Sequence, residues 1–201
     1  MRENPPGSIW YRIREVIGEK LEYTSKLQLF CLIVAFGIAF SLDNASIRDL
    51  GDRFSLGKIL AISVFVGPFI GGLYWLIISS VLHWTSRLLG GTGTWRETRT
   101  AVAWSTAVYS AKLVLWIPQL LLFGHEMFTS TTPRIDSSLF LLTLIFLFGL
   151  LETILQVVFI IVLSNSLGLA HRFSAWRGFG ALVLPVAALI VFIALLLFLF
   201  S

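Results

Sequence analysis

The sequence predicts an all-α integral membrane protein with five transmembrane helices and a short N-terminal amphipathic helix in the membrane interface. The first observation behind this prediction is composition: 57% of the 201 residues are hydrophobic and only 13% are charged. The mean hydropathy is +0.87. Soluble domains are about half apolar and about a quarter charged, so the deficit of charge indicates that much of the surface faces lipid.

The second observation is a set of five long apolar runs. A spanning helix needs roughly 20 mainly apolar residues. The predicted spans cover residues 27–45, 59–82, 101–123, 139–163 and 179–200. Residues 27–201 therefore form one membrane domain behind a cytoplasmic arm of residues 1–26, and no segment remains for a separate globular domain. The arm is too long and carries too many acidic residues for the n-region of a signal peptide, and no convincing cleavage site follows. We therefore expect the first span to stay uncleaved.

The third observation is the distribution of basic residues, which predicts orientation because short cytoplasmic loops are enriched in Lys and Arg. The side that holds the N-terminus has Arg2, Arg12, Arg14, Lys20, Lys26, Arg87, Arg96, Arg99, Arg172 and Arg177. The other side has only Arg48, Arg53, Lys58 and Arg134. The N-terminus is therefore predicted to be cytoplasmic and the C-terminus to lie outside.

The arm has apolar residues at helical spacing, with charged residues filling much of the rest. The apolar positions are Ile9, Trp10, Ile13, Val16, Ile17 and Leu21. This pattern predicts an amphipathic helix in the cytoplasmic membrane interface. The alternative is that the same face packs against the helix bundle or against a partner.

The second span contains the segment GPFIGG, residues 67–72. Its glycines permit close approach of another helix, and Pro68 favours a kink. Pro118 and Pro185 can bend the third and fifth spans. Bent helices with small residues also suit cavities, so packing and a cavity remain alternatives.

A glycine-rich loop, LLGGTGTWRET, joins the second and third spans at residues 88–98. A phosphate-binding loop requires a preceding strand and the G-K-[ST] form, and neither is present. The alternative is a turn in which Gly90 and Gly91 end one helix in the left-handed conformation. Thr94 and Glu97 match the S/T-x-x-E capping box that begins the next helix.

Three cytoplasmic segments place a small hydroxyl residue, a Trp and an Arg where a helix should begin. Tryptophan favours the membrane interface because its ring is apolar and its N–H needs a partner. The segments are interpreted as anchored helix starts, with a shared ligand site as the alternative. With the glycines of the loop, the candidate cytoplasmic interface comprises Trp10, Arg12, Gly90, Gly91, Trp95, Arg96, Trp176 and Arg177.

Lys112 and Glu152 each lie near the middle of a predicted span, and Gln156 follows Glu152 by one helical turn on the same face. Charged groups in hydrocarbon are costly, so they usually face the bundle interior and pair. The short outer loop makes spans three and four neighbours. The three residues form a candidate polar centre, which either fixes helix packing or serves a proton or substrate relay.

Other chemistry is not indicated by the sequence. His83, His125 and His171 are far apart in sequence and match no zinc spacing. Neither a nucleophile elbow nor a clustered carboxylate pair is present, so we expect no catalytic residue, no metal and no cofactor. The net charge of +4 is explained by topology and by attraction to anionic lipid, and no nucleic-acid binding is expected.

The order of several motifs resembles the Yip domain family of five-pass membrane proteins, named for interaction with Ypt/Rab-type GTPases. The motifs are a proline-containing arm NPPGSIWYRI, the loop LLGGTGTWRET, Pro118 within span three, and the last loop LSNSLGLAHRFSAWRGFGALVLP. The resemblance covers about residues 5–200. Eukaryotic members work in early secretory traffic and have long cytoplasmic N-terminal regions tied to GTPases. The compact form here is similar to prokaryotic members.

The resemblance implies membrane organisation, trafficking or export. The expected function is that of a non-catalytic, membrane-embedded scaffold or partner, and the alternative is a small transporter or lipid translocator that uses Lys112 and Glu152. Expected partners are the lipid bilayer and other membrane proteins or a second copy of the chain. The short arm argues against binding of a Rab-type GTPase. The expected location is a prokaryotic plasma membrane.

Overall fold

The computed structural model describes residues 15, 18, 19 and 23–199. Trp10, Arg12 and most of the predicted amphipathic helix lie outside the described residues. Regular structure in the described part is helical throughout. The helices are α1 (Lys26–Ile47), α2 (Leu56–Phe65), α3 (Gly67–Leu88), α4 (Trp95–Ser110), α5 (Lys112–Phe123), α6 (Pro133–Asp136), α7 (Leu139–Ala170) and α8 (Ala175–Leu199). Short 3₁₀ helices cover Leu50–Asp52 and Gly124–Phe128.

Five helical segments are long and apolar enough to cross a membrane. They are Lys26–Ile47, Gly67–Leu88, Trp95–Phe128, Leu139–Ala170 and Ala175–Leu199. A helix is the natural spanning element because it pairs its own backbone groups where lipid offers none. The predicted all-helical, five-span fold is therefore confirmed.

The chain divides into two compact units. Unit A comprises Lys26–Tyr74 and Thr106–Phe159. Unit B comprises Trp75–Ser105, the described part of Ile160–Ser201 and the described residues before Lys26. Helices α3, α4 and α7 each contribute residues to both units.

In unit A, glycines bring α1 and α3 into backbone contact. A Cβ atom on Gly37 would meet the Gly67 carbonyl, and one on Gly71 would lie 2.5 Å from Gly37 Cα. The predicted role of Gly67 and Gly71 in close helix approach is confirmed. Gly72 differs, because a Cβ there would meet only the Ile33 side chain, at 3.9 Å.

The second predicted span falls on two helices, because the helix is interrupted at Val66 between α2 and α3. Pro68 follows directly and has no N–H to donate to the carbonyl one turn earlier. The helical bonding resumes with Ile70, whose N–H donates to the Val66 carbonyl. Proline thus accounts for the interruption, as the sequence predicted.

The apolar core of unit A surrounds the stacked rings of Trp116 and Phe128, whose centroids are 5.4 Å apart. Leu42, Ala45 and Ile59 complete the buried cluster. A buried aromatic pair of this kind adds to the stabilisation from burial alone. The buried cluster joins the end of α1 to α2 and α5.

In unit B, small and hydroxyl residues let α3, α4, α7 and α8 pack closely. A Cβ atom on Gly178 of α8 would meet the Ser164 carbonyl of α7. Thr85 donates its hydroxyl to the Ala181 carbonyl at 2.9 Å, and Ser105 donates to the Ser166 hydroxyl at 3.1 Å. Such contacts are typical of helices that associate in lipid.

Most large apolar side chains of α7 and α8 are exposed, in contrast to those of the core. A continuous exposed apolar surface of this kind would favour aggregation in water. In a bilayer, lipid hydrocarbon rather than water surrounds these apolar side chains.

We expect Gly71→Ala to destabilise the detergent-solubilised protein by about 1–3 kcal/mol, the usual cost of overpacking a filled site. The added methyl group would press on backbone atoms of α1, which have no rotamer through which to yield. Gly72→Ala is the matched control. Because alanine favours a helix over glycine by about 1 kcal/mol, the control should hold or raise the thermal midpoint. Equal midpoints for the two variants would contradict the proposed contact.

Candidate intramembrane charge centre

Three charged side chains meet inside unit A, and together they are called the charge centre: Asp43 of α1, Lys112 of α5 and Glu152 of α7. The Lys112 ammonium donates to Asp43 Oδ2 and lies 3.2 Å from Glu152 Oε2. Asp43 and Lys112 are both 8% exposed. Ions are costly in hydrocarbon unless they pair, so the contacts tie three helices together.

Asp43 is the most fully bonded member of the charge centre. Besides Lys112, it accepts hydrogen bonds from the Tyr109 hydroxyl and from Trp116 Nε1, the latter at 3.1 Å. The Lys112 ammonium also lies 5.1 Å from the centroid of the Tyr109 ring. Because Tyr109 and Trp116 lie three and four residues from Lys112, helical geometry brings all three to one face.

Glu152 is less enclosed than Asp43. Gln119 Nε2 donates to Glu152 Oε1 at 2.7 Å, which adds a neutral donor to the Lys112 contact. The Glu152 side chain remains 26% exposed. Gln119 is buried, and its own Oε1 has no hydrogen-bond partner. The charge centre thus contains two carboxylates for one ammonium, with spare acceptor capacity on the Glu152 side.

The structure brings together only two of the three residues of the predicted polar centre. Lys112 and Glu152 are in contact, whereas Gln156 is exposed. The place beside Glu152 is taken by Gln119, from the helix opposite. Sequence reasoning overlooked Asp43, Tyr109 and Trp116. The spacing of Tyr109, Lys112, Trp116 and Gln119, all on one helical face, was the signal available.

In unit B the glycine-rich loop forms a helix stop and a helix start. Gly90 has φ +84, and Gly91 N–H donates to the Ser86 carbonyl at 2.9 Å, as in a Schellman cap. The left-handed conformation is confirmed for Gly90, while Gly91 lies outside that region. Gly91 is needed for space instead, because a Cβ atom there would lie 2.6 Å from His171 Nδ1.

The predicted capping box at the start of α4 is confirmed. The Thr94 N–H donates to Glu97 Oε2 at 2.6 Å, and the Glu97 N–H donates to Thr94 Oγ1 at 3.2 Å. The other Glu97 oxygen lies 2.8 Å from the Arg172 guanidinium. The carboxylate therefore both caps α4 and holds the loop between α7 and α8.

Thr98 links two histidines that are distant in sequence. Its Oγ1 lies 3.0 Å from His83 Nδ1 and 2.9 Å from His171 Nε2, and it donates to the Thr94 carbonyl. Burial lowers the pKa of His171 to about 4, with His83 and Arg87 acting in the same direction. His171 is therefore neutral at pH 7. Because the Thr98 hydrogen is used, both rings donate to Thr98.

Among the described residues of the candidate cytoplasmic interface, the tryptophans and arginines have different surroundings. Trp95 is half-buried and meets the His83 ring edge-on, with centroids 5.5 Å apart. Trp176 is 83% exposed, and Arg96 and Arg177 are exposed. The Arg99 guanidinium lies 5.6 Å from the centroid of the Trp95 ring. Within the described residues, no cluster of three or more metal-ligating side chains occurs.

The model of the Yip1 domain matches residues 6–196. No curated protein and no solved structure matches the chain. The matched residues run from before the first membrane-spanning segment into the fifth, and the chain belongs to the Yip1 domain family.

Proposed function

We propose that the chain is a non-catalytic membrane protein that acts as an embedded scaffold or partner in membrane organisation, trafficking or export. The observation that supports this function is the bonding of the charge centre. Asp43 has three donors, and Lys112 lies between two carboxylates. Contacts of this kind between three helices are suited to hold the helices in a fixed arrangement rather than to bind a passing solute.

Membership of the Yip1 domain family supports a role in the membrane, without specifying the partner. The exposed faces of α7 and α8 are the surfaces at which such a partner could be met. We further propose a cytoplasmic N-terminus, an external C-terminus and a prokaryotic plasma membrane as location. The excess of basic residues on one side supports this orientation.

The proposed function is tested by purifying the full chain in native-like lipid under mild conditions and analysing what accompanies it. A scaffold should co-purify with other membrane proteins in reproducible ratio, and it should transport no solute when reconstituted alone. Solute flux by the pure protein, with no accompanying protein, would contradict the scaffold function.

A small transporter or lipid translocator centred on Lys112 and Glu152 is the second candidate. It is favoured by one specific observation, the partial exposure of the Glu152 side chain beside an unpartnered Gln119 oxygen. A relay needs such a group, because a fully bonded carboxylate cannot exchange a proton or a ligand without breaking its contacts.

Stability measurements on variants of the charge centre distinguish the contributions of its individual contacts. Lys112→Met should cost about 3–5 kcal/mol, because it leaves two carboxylates uncompensated in a buried site. Glu152→Gln should cost much less, since Lys112 keeps Asp43. Adding Asp43→Asn to Lys112→Met should recover part of the loss, and this non-additivity is measured as a double-mutant cycle by thermal unfolding in detergent.

Lys112→Arg is the control in this cycle, because it keeps the positive charge. Strictly additive losses for Lys112→Met and Asp43→Asn would show that the pair is not coupled. If Glu152→Gln is stable but abolishes solute flux by the reconstituted protein, the transport function replaces the structural one.

The proposed orientation predicts which loops an impermeant thiol reagent can reach in intact cells. With Cys31→Ser as background, Thr92→Cys, beside Gly93, should resist labelling and Thr131→Cys should react, because both positions are exposed. Permeabilised cells provide the control, in which both positions should label. Labelling of the first position and protection of the second would reverse the orientation.

A further inference from the structure

Gln156 is a polar side chain in a place where lipid cannot satisfy it. It is exposed, and no hydrogen bond joins its amide to another residue in the described part of the chain. At about 1.5 Å per residue, Gln156 lies roughly 26 Å from Leu139 and roughly 11 Å from Leu163, the two ends of the fourth predicted span. The side chain is too short to reach either end, so the amide requires a partner within the bilayer.

Gly149 and Thr153 lie on the same face of α7 as Gln156, at successive spacings of four and three residues. The three positions are called the α7 stripe, and all of them are exposed. Thr153 donates its hydroxyl to the Gly149 carbonyl at 2.8 Å, so its own polar group is satisfied. The stripe therefore presents a small-residue notch beside one unpaired amide.

No contact among the described residues requires a glycine at position 149. A Cβ atom there would meet nothing within 4 Å, whereas one on Gly37, Gly71 or Gly178 would collide with backbone. Glycine within a helix is less stable than alanine, and the other three glycines offset this by close packing. The space above Gly149 is open for a helix from outside the chain.

We propose that the α7 stripe docks a second copy of the same chain, and this inference rests on the proposed partner-binding role. Two copies inserted with one topology place their α7 helices parallel, related by a two-fold axis along the membrane normal. Each stripe residue then meets its own counterpart. A glutamine amide both donates and accepts, so it is complementary to itself, whereas a charged side chain would repel its copy.

The neighbouring charge does not oppose this contact. Glu152 lies one turn from Gln156, but its two oxygens face Gln119 and Lys112 of its own chain. Facing glycines allow close backbone approach, and a polar side chain beside them strengthens association in lipid. The stripe thus combines both features that favour pairing of membrane helices.

Disulfide crosslinking of the full chain in proteoliposomes tests the proposal. In a Cys31→Ser background, Thr153→Cys on the stripe should form a covalent dimer on oxidation. Leu151→Cys is the matched control, because it is 46% exposed but lies on the opposite face of α7. The excess of the first dimer over the second should persist as lipid is added to dilute the protein.

Gln156→Leu in the Thr153→Cys background should weaken dimerisation by about 3- to 30-fold, the range expected for one interhelical polar contact. Gln156→Asn keeps the amide and should weaken it less. Because leucine suits lipid, the Gln156→Leu monomer should keep its thermal midpoint, which shows that lost dimer is not lost fold.

Crosslinking of Thr153→Cys no faster than Leu151→Cys would overturn the proposal. Crosslinking in native membranes to a different protein, and not to a second copy, would also overturn it, while leaving the scaffold function intact. Solute flux by an unpartnered protein is the separate result that would contradict the scaffold function itself.

Discussion

A lysine ammonium held between two carboxylates inside a membrane domain is the constraint on which unit A depends. Any of the three groups would be strongly unfavourable alone in hydrocarbon, so none can move away without exposing the others. Asp43, Lys112 and Glu152 belong to three different helices. Their contact therefore sets the depth and rotation at which α1, α5 and α7 meet, which nonspecific apolar packing would leave free.

Close packing in unit A acts together with this charge constraint. Gly37 lies earlier on α1 than Asp43 and meets the backbone of α3 at Gly67 and Gly71. Trp116 both donates to Asp43 and stacks on Phe128 in the apolar core. Helix α1 is thus held by backbone packing against α3 at Gly37 and by hydrogen bonding to α5 at Asp43, and Trp116 links the second of these contacts to the apolar core.

Local features and single-helix features could be predicted from the sequence, but contacts between distant segments could not. The spans can be predicted from hydropathy because a chain segment inside lipid must pair its own backbone groups, as a helix does. The capping box can be predicted because it involves only Thr94 and Glu97, which are three residues apart. Asp43 was overlooked because it lies near the end of the first predicted span, residues 27–45, where a charged side chain is expected to face the membrane surface. The meeting of His171 with Thr98 depends on tertiary packing that no local pattern encodes.

Glu152 and Gln156 illustrate the same limit more sharply, because one helical turn separates them and helical spacing assigns them to one face. In the structure the edge of the helix contact falls between them, so Glu152 bonds inward and Gln156 faces outward. On a soluble protein, an exposed glutamine would bond to water, and its exposure would not indicate a binding partner. The hydrocarbon of a bilayer offers no hydrogen bond, so a glutamine exposed there requires a hydrogen-bonding partner from outside its own chain. Helix α7 therefore connects the internal charge centre on one side with an external contact on the other.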